Sequence, residues 1–503
     1  METHNKIISV DNLALGEESE ESIALCYGHF NLIHTGHLRY LQHAKTLADK
    51  LVVAIISDKE LDKDSFGSHF SEEERSESAT NLQIVDYVII LNELSLDELV
   101  CTIKPKMLVL GKEFEQNRSN KINLAISEAN KKGCVMFHAG EVHYSNSSLL
   151  HGNVPDIENR NIDQLNIICK KHNITLNKLQ NRLKIFSDSR LVIIGDTIVD
   201  NYVACDALGM SAEAPVLVVK ELENREFSGG ASIVASHVSA LGATCHYISV
   251  VGKDKQSDVV VKSLIDQGVN MDIIIDASRP TTYKTRYMVE NQKLFRVSRI
   301  KDHKVSEKIE QEIIDKLTIL APDIDGILVS DFVYGVVTKK ILNVISDLSK
   351  KFNFKLYGDL QCSSQVGKVS KFNNFDLITP TEKESRIALD DNESGIEWIS
   401  NTLLKDTRSK NMLMKLGSDG FIAYNNSGLI KRQNFPALSV NPVDVTGAGD
   451  SLFAAMSVSL SSGADLMEAS VIGSCIASLF VKSIGNVPVK IDELNRYMSE
   501  IIR

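Results

Sequence analysis

The sequence predicts two α/β domains in tandem, a smaller one followed by a larger one. Three observations carry this. A chain of 503 residues exceeds what one hydrophobic core usually serves. Short apolar runs alternate with helix-length segments in two separate series. Each series also contains a glycine-rich turn that leads into a helix.

The elements follow in order. Residues 1–20 carry Glu17, Glu18 and Glu20 and read as a poorly ordered acidic tail, without the basic stretch and apolar run of a signal peptide. The first strand series is IALCY at 23–27, LVVAII at 51–56, DYVIIL at 86–91, KMLVLG at 106–111 and CVMFHA at 134–139. It predicts a parallel α/β domain over residues 21–150. Residues 151–188 lose the strand pattern. Leu165, Ile168, Leu176, Leu179 and Leu183 there predict one or two amphipathic helices linking the halves. RLVIIGD at 190–196 opens the second domain, 189–503, which continues through DGILVSD at 325–331, FKLYGDL at 354–360 and FDLITP at 375–380.

Bulk properties narrow the function. A formal net charge of −11 and no basic–aromatic stripe argue against nucleic acid as a partner. The apolar stretch Ser451 to Ile484 is interrupted by Gly463, Asp465 and Glu468, so no membrane span is expected. The eight cysteines are scattered without a C-x-x-C pair, which suits a reducing, cytoplasmic compartment.

The first chemical motif is YGHFNLIHTGH at 27–37. His34 and His37 stand at the mouth of a predicted helix, where imidazoles and oriented N–H groups can bind a phosphate chain, and Gly36 permits close approach. That set stabilises charge developing at an attacked phosphorus. The stretch resembles the cytidylyltransferase-type nucleotidyltransferases, with the signature G-x-F-D-x-x-H-x-G-H. The likeness extends over residues 23–150 through A-K at 44–45, E-R at 74–75, LGKEF at 110–114 and SNSS at 145–148. It implies a Rossmann-like fold and nucleotidyl transfer from ATP or CTP with release of pyrophosphate. His34 and His37 would be catalytic, with Gly28, Phe30, Asn31, Gly36, Lys45, Arg75, Glu113, Ser147 and Ser148 binding nucleotide and phosphate. Asn31 departs from the family's aspartate.

The second motif is DVTGAGD at 444–450. Its small residues expose backbone N–H groups at a helix mouth, a nest for a transferring phosphoryl group. Asp450 beside it is the candidate general base. Asp196 and Asp200 follow a strand, where open sheets bind ligands, and carboxylates suit sugar hydroxyls. Gly229 and Gly230 precede a helix and permit close approach.

GDTIVDNYV at 195–203, FSGGASIVASHVSALGA at 227–243 and DVTGAGD resemble the ribokinase-like carbohydrate kinases, nearest the heptose 7-phosphate kinase branch. The likeness implies a ribokinase-like α/β domain with a small β-lid from residues around 212–220 and 281–299, through which a homodimer forms. It places Asp196, Asp200, Gly229 and Gly230 on the sugar and Lys284 and Arg286 on its phosphate. Thr446, Gly447, Ala448 and Gly449 would form the anion hole. Glu384, Gly417, Asp419 and Gly420 would serve ATP, with Glu384 also a metal candidate. Ile233 and Thr381 replace asparagines of the family pattern.

The pairing resembles bifunctional heptose kinase–adenylyltransferases, with the halves in the opposite order. It implies sugar phosphate and nucleotide substrates, ATP for the kinase and Mg²⁺ for both reactions. Two alternatives stay open: a CTP-dependent polyol-phosphate cytidylyltransferase fused to a sugar kinase, or a chain with a degenerate half that senses sugar phosphate or nucleotide.

Overall fold

A computed structural model describes residues 6–10, 21–31, 33, 35–59, 70–92, 94–111, 114, 119–138, 154–211, 213, 216–289, 292–426 and 432–503. Two compact units result, Met1–Asn153 with Asp390–Asn401, and Val154–Leu389 with Thr402–Arg503.

The first unit alternates β1 (Ile23–Gly28), α1 (Thr35–Lys45), β2 (Lys50–Ile56), α2 (Glu72–Thr80), β3 (Tyr87–Leu91), α3 (Leu96–Ile103), β4 (Met107–Gly111), α4 (Asn120–Lys132) and β5 (Cys134–His138). The strands form one parallel sheet in the order β3-β2-β1-β4-β5. Period-two alternation buries both faces. Ile23 and Leu25 of β1 pack with Leu99 and Ala125 of α3 and α4, while Ala24 and Cys26 pack with Leu41 and Ala79 of α1 and α2. Serines open three helices, and Ser71 with Glu74 forms a capping box on α2. Strand order reverses beside β1, so the crevice for a ligand lies where β1 ends at Gly28 and α1 begins.

The expected acidic tail needs correction over residues 6–10. Ile8 N–H donates to Val88 O, and Val88 N–H donates to Lys6 O, so this segment bridges to the edge strand β3. Ile8 and Val10 pack on the core.

The second unit begins with α5 (Val154–Lys171) and α6 (Leu176–Ile185). Next come β6 (Arg190–Gly195), β7 (Thr197–Met210), β8 (Leu217–Gly230), α7 (Ala231–Ala240), β9 (Thr244–Val251), α8 (Lys255–Asp266), β10 (Asn270–Ile275), β11 (Thr282–Val289), β12 (Gln292–Arg299) and α9 (Glu307–Leu320). Then follow β13 (Gly326–Asp331), α10 (Lys339–Phe352), β14 (Lys355–Leu360), β15 (Leu377–Ile378), α11 (Glu382–Leu389), α12 (Ile396–Thr407, straddling the division in sequence) and β16 (Asn411–Lys415). The chain closes with β17 (Phe421–Asn425), β18 (Arg432–Phe435), α13 (Ala448–Ser461), α14 (Leu466–Phe480) and α15 (Ile491–Ile501).

Nine strands form the central sheet in the order β10-β9-β6-β13-β14-β15-β16-β17-β18, parallel until the last two pairings. Four more, β12-β11-β7-β8, form the lid, larger than the two stretches expected for it.

The segment expected as a helical link is instead part of this unit's interior. Leu165, Ile168, Leu179, Leu183 and Phe186 are buried in the same cluster as Leu191 of β6 and Val234 of α7. Lys178 and Arg182 of α6 reach the fully buried Glu468 of α14 at 2.5 and 3.0 Å. The apolar stripe of each helix thus faces a core, which absence of a strand pattern does not reveal.

Candidate functional site

In the second unit, α13 starts at Gly447, whose φ of +87° lies where an L side chain is strained. A Cβ there would also meet Asn486 Oδ1 at 2.7 Å. This turn puts Gly447, Ala448, Gly449 and Asp450 on the wall of a cavity of about 580 Å³, while Ala448 N–H closes the turn on Val445 O at 3.2 Å. The small residues of the motif thus open a helix N-terminus onto the cavity beside a carboxylate, the setting in which an anion nest is expected.

Asp450 is only 6% exposed. Gln361 Nε2 donates to its Oδ1 at 2.6 Å and to Asp359 Oδ2 at 3.1 Å. Asp359, at the end of β14 and fully buried, also accepts from Thr379 Oγ1 at 2.5 Å and Lys415 Nζ at 2.6 Å. Burial, then the negative charge of Asp359, pushes the Asp450 carboxyl up to about 8, against the opposing pull of Lys415. Burial works against the Lys415 charge, but Asp359 and Glu384 outweigh it and hold the ammonium above its ordinary value. The arrangement is a basic carboxylate next to an anion nest, as proton abstraction from a hydroxyl requires.

Asp200 on β7 forms an ion pair with Arg286 of β11 and accepts from Asn486 Nδ2 at 3.2 Å. A Cβ on Gly229 would stand 2.3 Å from Asp200 Oδ2, so only glycine fits there. Gly230 (φ +63°) ends β8 and caps α7. Lys284 is buried, donates to Ser363 Oγ at 3.1 Å and lies over the rings of Phe332 and Tyr334. Arg296 adds a guanidinium beside it, 3.2 Å from Ser364 Oγ.

Four expectations here are corrected. Asp196 is buried and accepts from the backbone N–H groups of Phe332, Tyr334 and Val336, so it holds the loop after β13 rather than a sugar. Asp419 shares a single 3₁₀ turn with Gly417 but does not line the cavity that Gly417 and Gly420 line. Thr446 likewise lies outside that lining, and its hydroxyl accepts from Lys293 of β12 at 2.8 Å. Glu384 is on the cavity wall, yet its two oxygens accept from Cys362 N–H and Thr381 N–H, so it organises a turn instead of ligating a metal directly. Among the described residues no three His, Cys, Asp or Glu side chains stand close enough to hold an ion.

One of the two departures from the family pattern finds an account. Thr381 Oγ1 accepts from Glu384 N–H at 3.2 Å, so threonine caps α11 in the asparagine's place. Ile233 is buried on α7.

The far wall of the cavity is apolar, with Pro436, Ala437, Leu438 and Val481, as a nucleobase requires. Ile157 and Asn161 of α5 belong to it, and Asn161 Nδ2 donates to Ala437 O at 2.8 Å. The lid meets the nest loop at Asp444, which accepts from Tyr202 Oη at 2.8 Å and Lys293 Nζ at 3.2 Å.

In the first unit, Gly28 ends β1, and Gly36 and His37 stand in the first turn of α1. The His37 and Phe30 rings are 5.2 Å apart, and Phe30 adopts φ +50°. Asn31 Oδ1 accepts from Phe70 N–H at 2.8 Å, tying the loop before α2 to the crevice. His34, Glu113, Ser147 and Ser148 lie outside the described residues.

Two residues expected to bind phosphate have other work. Arg75 is fully buried and donates to the carbonyls of His29, Ile56 and Phe70 and to Asp58. Lys45 closes the far end of α1, paired with Asp86 and the Asp49 carbonyl, both at 2.6 Å. Both satisfy groups of neighbouring loops, which a motif cannot reveal.

Asp359, Gln361, Lys415 and Asn486 were not legible as site residues, since they come from three separate places: the end of β14, the end of β16 and the loop before α15. The one signal was position: Asp359 ends a strand, and Lys415 precedes the glycine turn at 417.

Comparison with known proteins now bears on this geometry. The pfkB family carbohydrate kinase model matches residues 188–491, and the cytidylyltransferase-like model matches residues 25–148. The chain is 31% identical over 318 residues to the bifunctional protein HldE of Campylobacter jejuni (strain RM1221), covering 62% of this chain and 65% of that protein. It is 30% identical over 314 residues to the bifunctional protein HldE of Helicobacter hepaticus, covering 61% and 64%. The matched stretch is thus just under two thirds of each relative's length. Among solved structures, phosphofructokinase-2 of Escherichia coli with substrates and products superposes with a TM-score of 0.53 at 16% identity, covering 62% of this chain and 99% of that one. Arabidopsis thaliana ribokinase with ribose and ATP gives 0.50 at 20%, covering 62% and 98%. The fold of the second unit is ribokinase-like.

Proposed function

The chain belongs to the pfkB family of carbohydrate kinases, and on that premise we propose that it is a bifunctional enzyme of nucleotide-sugar synthesis. The kinase unit phosphorylates the anomeric hydroxyl of a sugar phosphate, heptose 7-phosphate, with ATP. The first unit transfers a nucleotidyl group from ATP or CTP to a sugar 1-phosphate and releases pyrophosphate. The observation that carries the reading is Asp450, buried and basic beside the anion nest of a cavity large enough for a nucleotide.

In this reading Asp450 takes the proton of the sugar hydroxyl as its oxygen bonds to the γ-phosphorus. The bond from that phosphorus to the bridging oxygen breaks, and ADP leaves with the electron pair. The nest N–H groups stabilise the transferring phosphoryl oxygens. Asp200, held by Arg286 and Asn486, binds sugar hydroxyls. Lys284 and Arg296 form the basic corner for the sugar's own phosphate. Mg²⁺ arriving on the triphosphate would offset its charge, while Glu384, accepting from Cys362 and Thr381 N–H, holds the turn on that wall of the cavity. In the first unit, His34 and His37 carry the NTP phosphates, and Gly28, Phe30, Asn31 and Gly36 shape their crevice.

The lid exposes Leu208, Met210, Leu217, Leu222, Phe295 and Val297. A second copy covering them would make the protein a homodimer through the kinase unit. Eight free thiols fit a cytoplasmic protein, and among the described residues no helix is long and apolar enough to cross a membrane.

The test is phosphorus NMR of the full chain with ATP or CTP and heptose phosphates. Heptose 7-phosphate with ATP should give ADP and a sugar bisphosphate. Asp450→Asn should abolish this without affecting pyrophosphate release from a sugar 1-phosphate, and His34→Ala should do the reverse. Loss of both activities in either folded variant refutes the two-site reading.

A further inference from the structure

Lys415 is a buried cation with no part in the sequence motifs, yet it stands against the anion nest. Its side chain is 11% exposed, and it lines the same cavity as Gly447, Ala448 and Gly449. A Cβ built on Gly449 would stand 3.4 Å from Lys415 Nζ and 3.7 Å from its Cδ. The ammonium thus lies directly under the turn that lines the cavity. It donates to Asp359 at 2.6 Å. An ammonium has three donors, and Asp359 already accepts from Thr379 and Gln361.

A buried lysine that only paired with a buried aspartate would be an expensive way to fill this space, since desolvating both charges offsets most of their attraction. It has a clearer use where a polyanion arrives. Asp450 and Glu384 also face the cavity, so without Lys415 the carboxylates would repel a triphosphate.

We propose that Lys415 binds the β- and γ-phosphates of ATP in the nest, turning from Asp359 to the nucleotide and neutralising charge as the γ-phosphoryl group moves to the sugar. It is a catalytic residue for the kinase reaction, since it touches the reacting group. As the bond from the γ-phosphorus to the β–γ bridging oxygen breaks, the electron pair stays on ADP, and the ammonium stabilises that charge while remaining protonated. Asp359 holds the side chain in place before the nucleotide binds.

The inference rests on the kinase reading above, and the experiment separates the two. Calorimetric titration of the full chain compares a non-hydrolysable ATP analogue, AMP-PNP, with AMP in the presence of Mg²⁺. Lys415→Met should weaken AMP-PNP about tenfold or more, as expected for a lost charge-assisted contact, and leave AMP within twofold. Lys415→Gln, which keeps a donor for Asp359, should behave alike and serves if the methionine variant does not fold. Equal losses for both nucleotides would mean a structural role, and undiminished AMP-PNP binding would mean none; either overturns the proposal. Failure of the unmodified protein to bind AMP-PNP would overturn the kinase reading instead.

Discussion

Replacing Asp359 by asparagine tests how the fold makes Asp450 basic. The two carboxylates share one Gln361 nitrogen through contacts of 2.6 and 3.1 Å, so the bridged oxygens stand less than about 6 Å apart. At an effective dielectric constant of about 20, two unit charges at that separation repel by about 3 kcal/mol, or on the order of two pH units. Asparagine keeps the shape and removes the charge. The sign follows from the proposed role: if Asp450 is the general base, it must be ionised, so kcat/KM is lost as pH falls through its value, which burial and Asp359 push up to about 8. Asp359→Asn should move the midpoint of that acid limb down toward about 6. The assay is ADP formation at low sugar phosphate and saturating ATP across pH 5 to 9. A midpoint that stays put or rises would refute the electrostatic account.

Two other substitutions probe positions where the fold leaves no room. Gly229→Ala places a methyl group against Asp200 Oδ2 and should raise KM for the sugar phosphate about tenfold, with KM for ATP unchanged in steady-state kinetics. Arg75→Met removes four hydrogen bonds from a fully buried guanidinium. It should destabilise the first unit by about 3 kcal/mol in urea melts, because carbonyls and Asp58 lose their donors. Native stability in that variant would show that these contacts are dispensable.

The inner strands of the two central sheets were legible because they are apolar runs with both faces buried. The lid strands, largely exposed and polar, were reached only through a resemblance. DVTGAGD stood out as a run of small residues before a helix. The residues that tune the site were not legible. Asp359, Gln361 and Lys415 meet only because β14 and β16 end at the same edge of the sheet, and sequence separation hides this. Two of the misread residues share one cause. Asp196 and Arg75 bear charges at strand or helix ends, which a motif reading assigns to ligands. The structure uses them for backbone groups that irregular loops would otherwise bury unsatisfied. Thr381 is the opposite case: an apparent defect in the motif that keeps the cap intact.

The helices α5 and α6 bear on where this protein can be cut. A fragment trimmed to start at Arg190 would lose Leu165, Ile168, Leu179, Leu183 and Phe186 from its interior. It would leave Glu468 facing water with neither of its cations, and it would open the apolar end of the cavity where Ile157 and Asn161 stood. Any excised kinase must therefore keep the chain from Val154 onward, and the region that divides most naturally by strand count is the wrong place for the scissors.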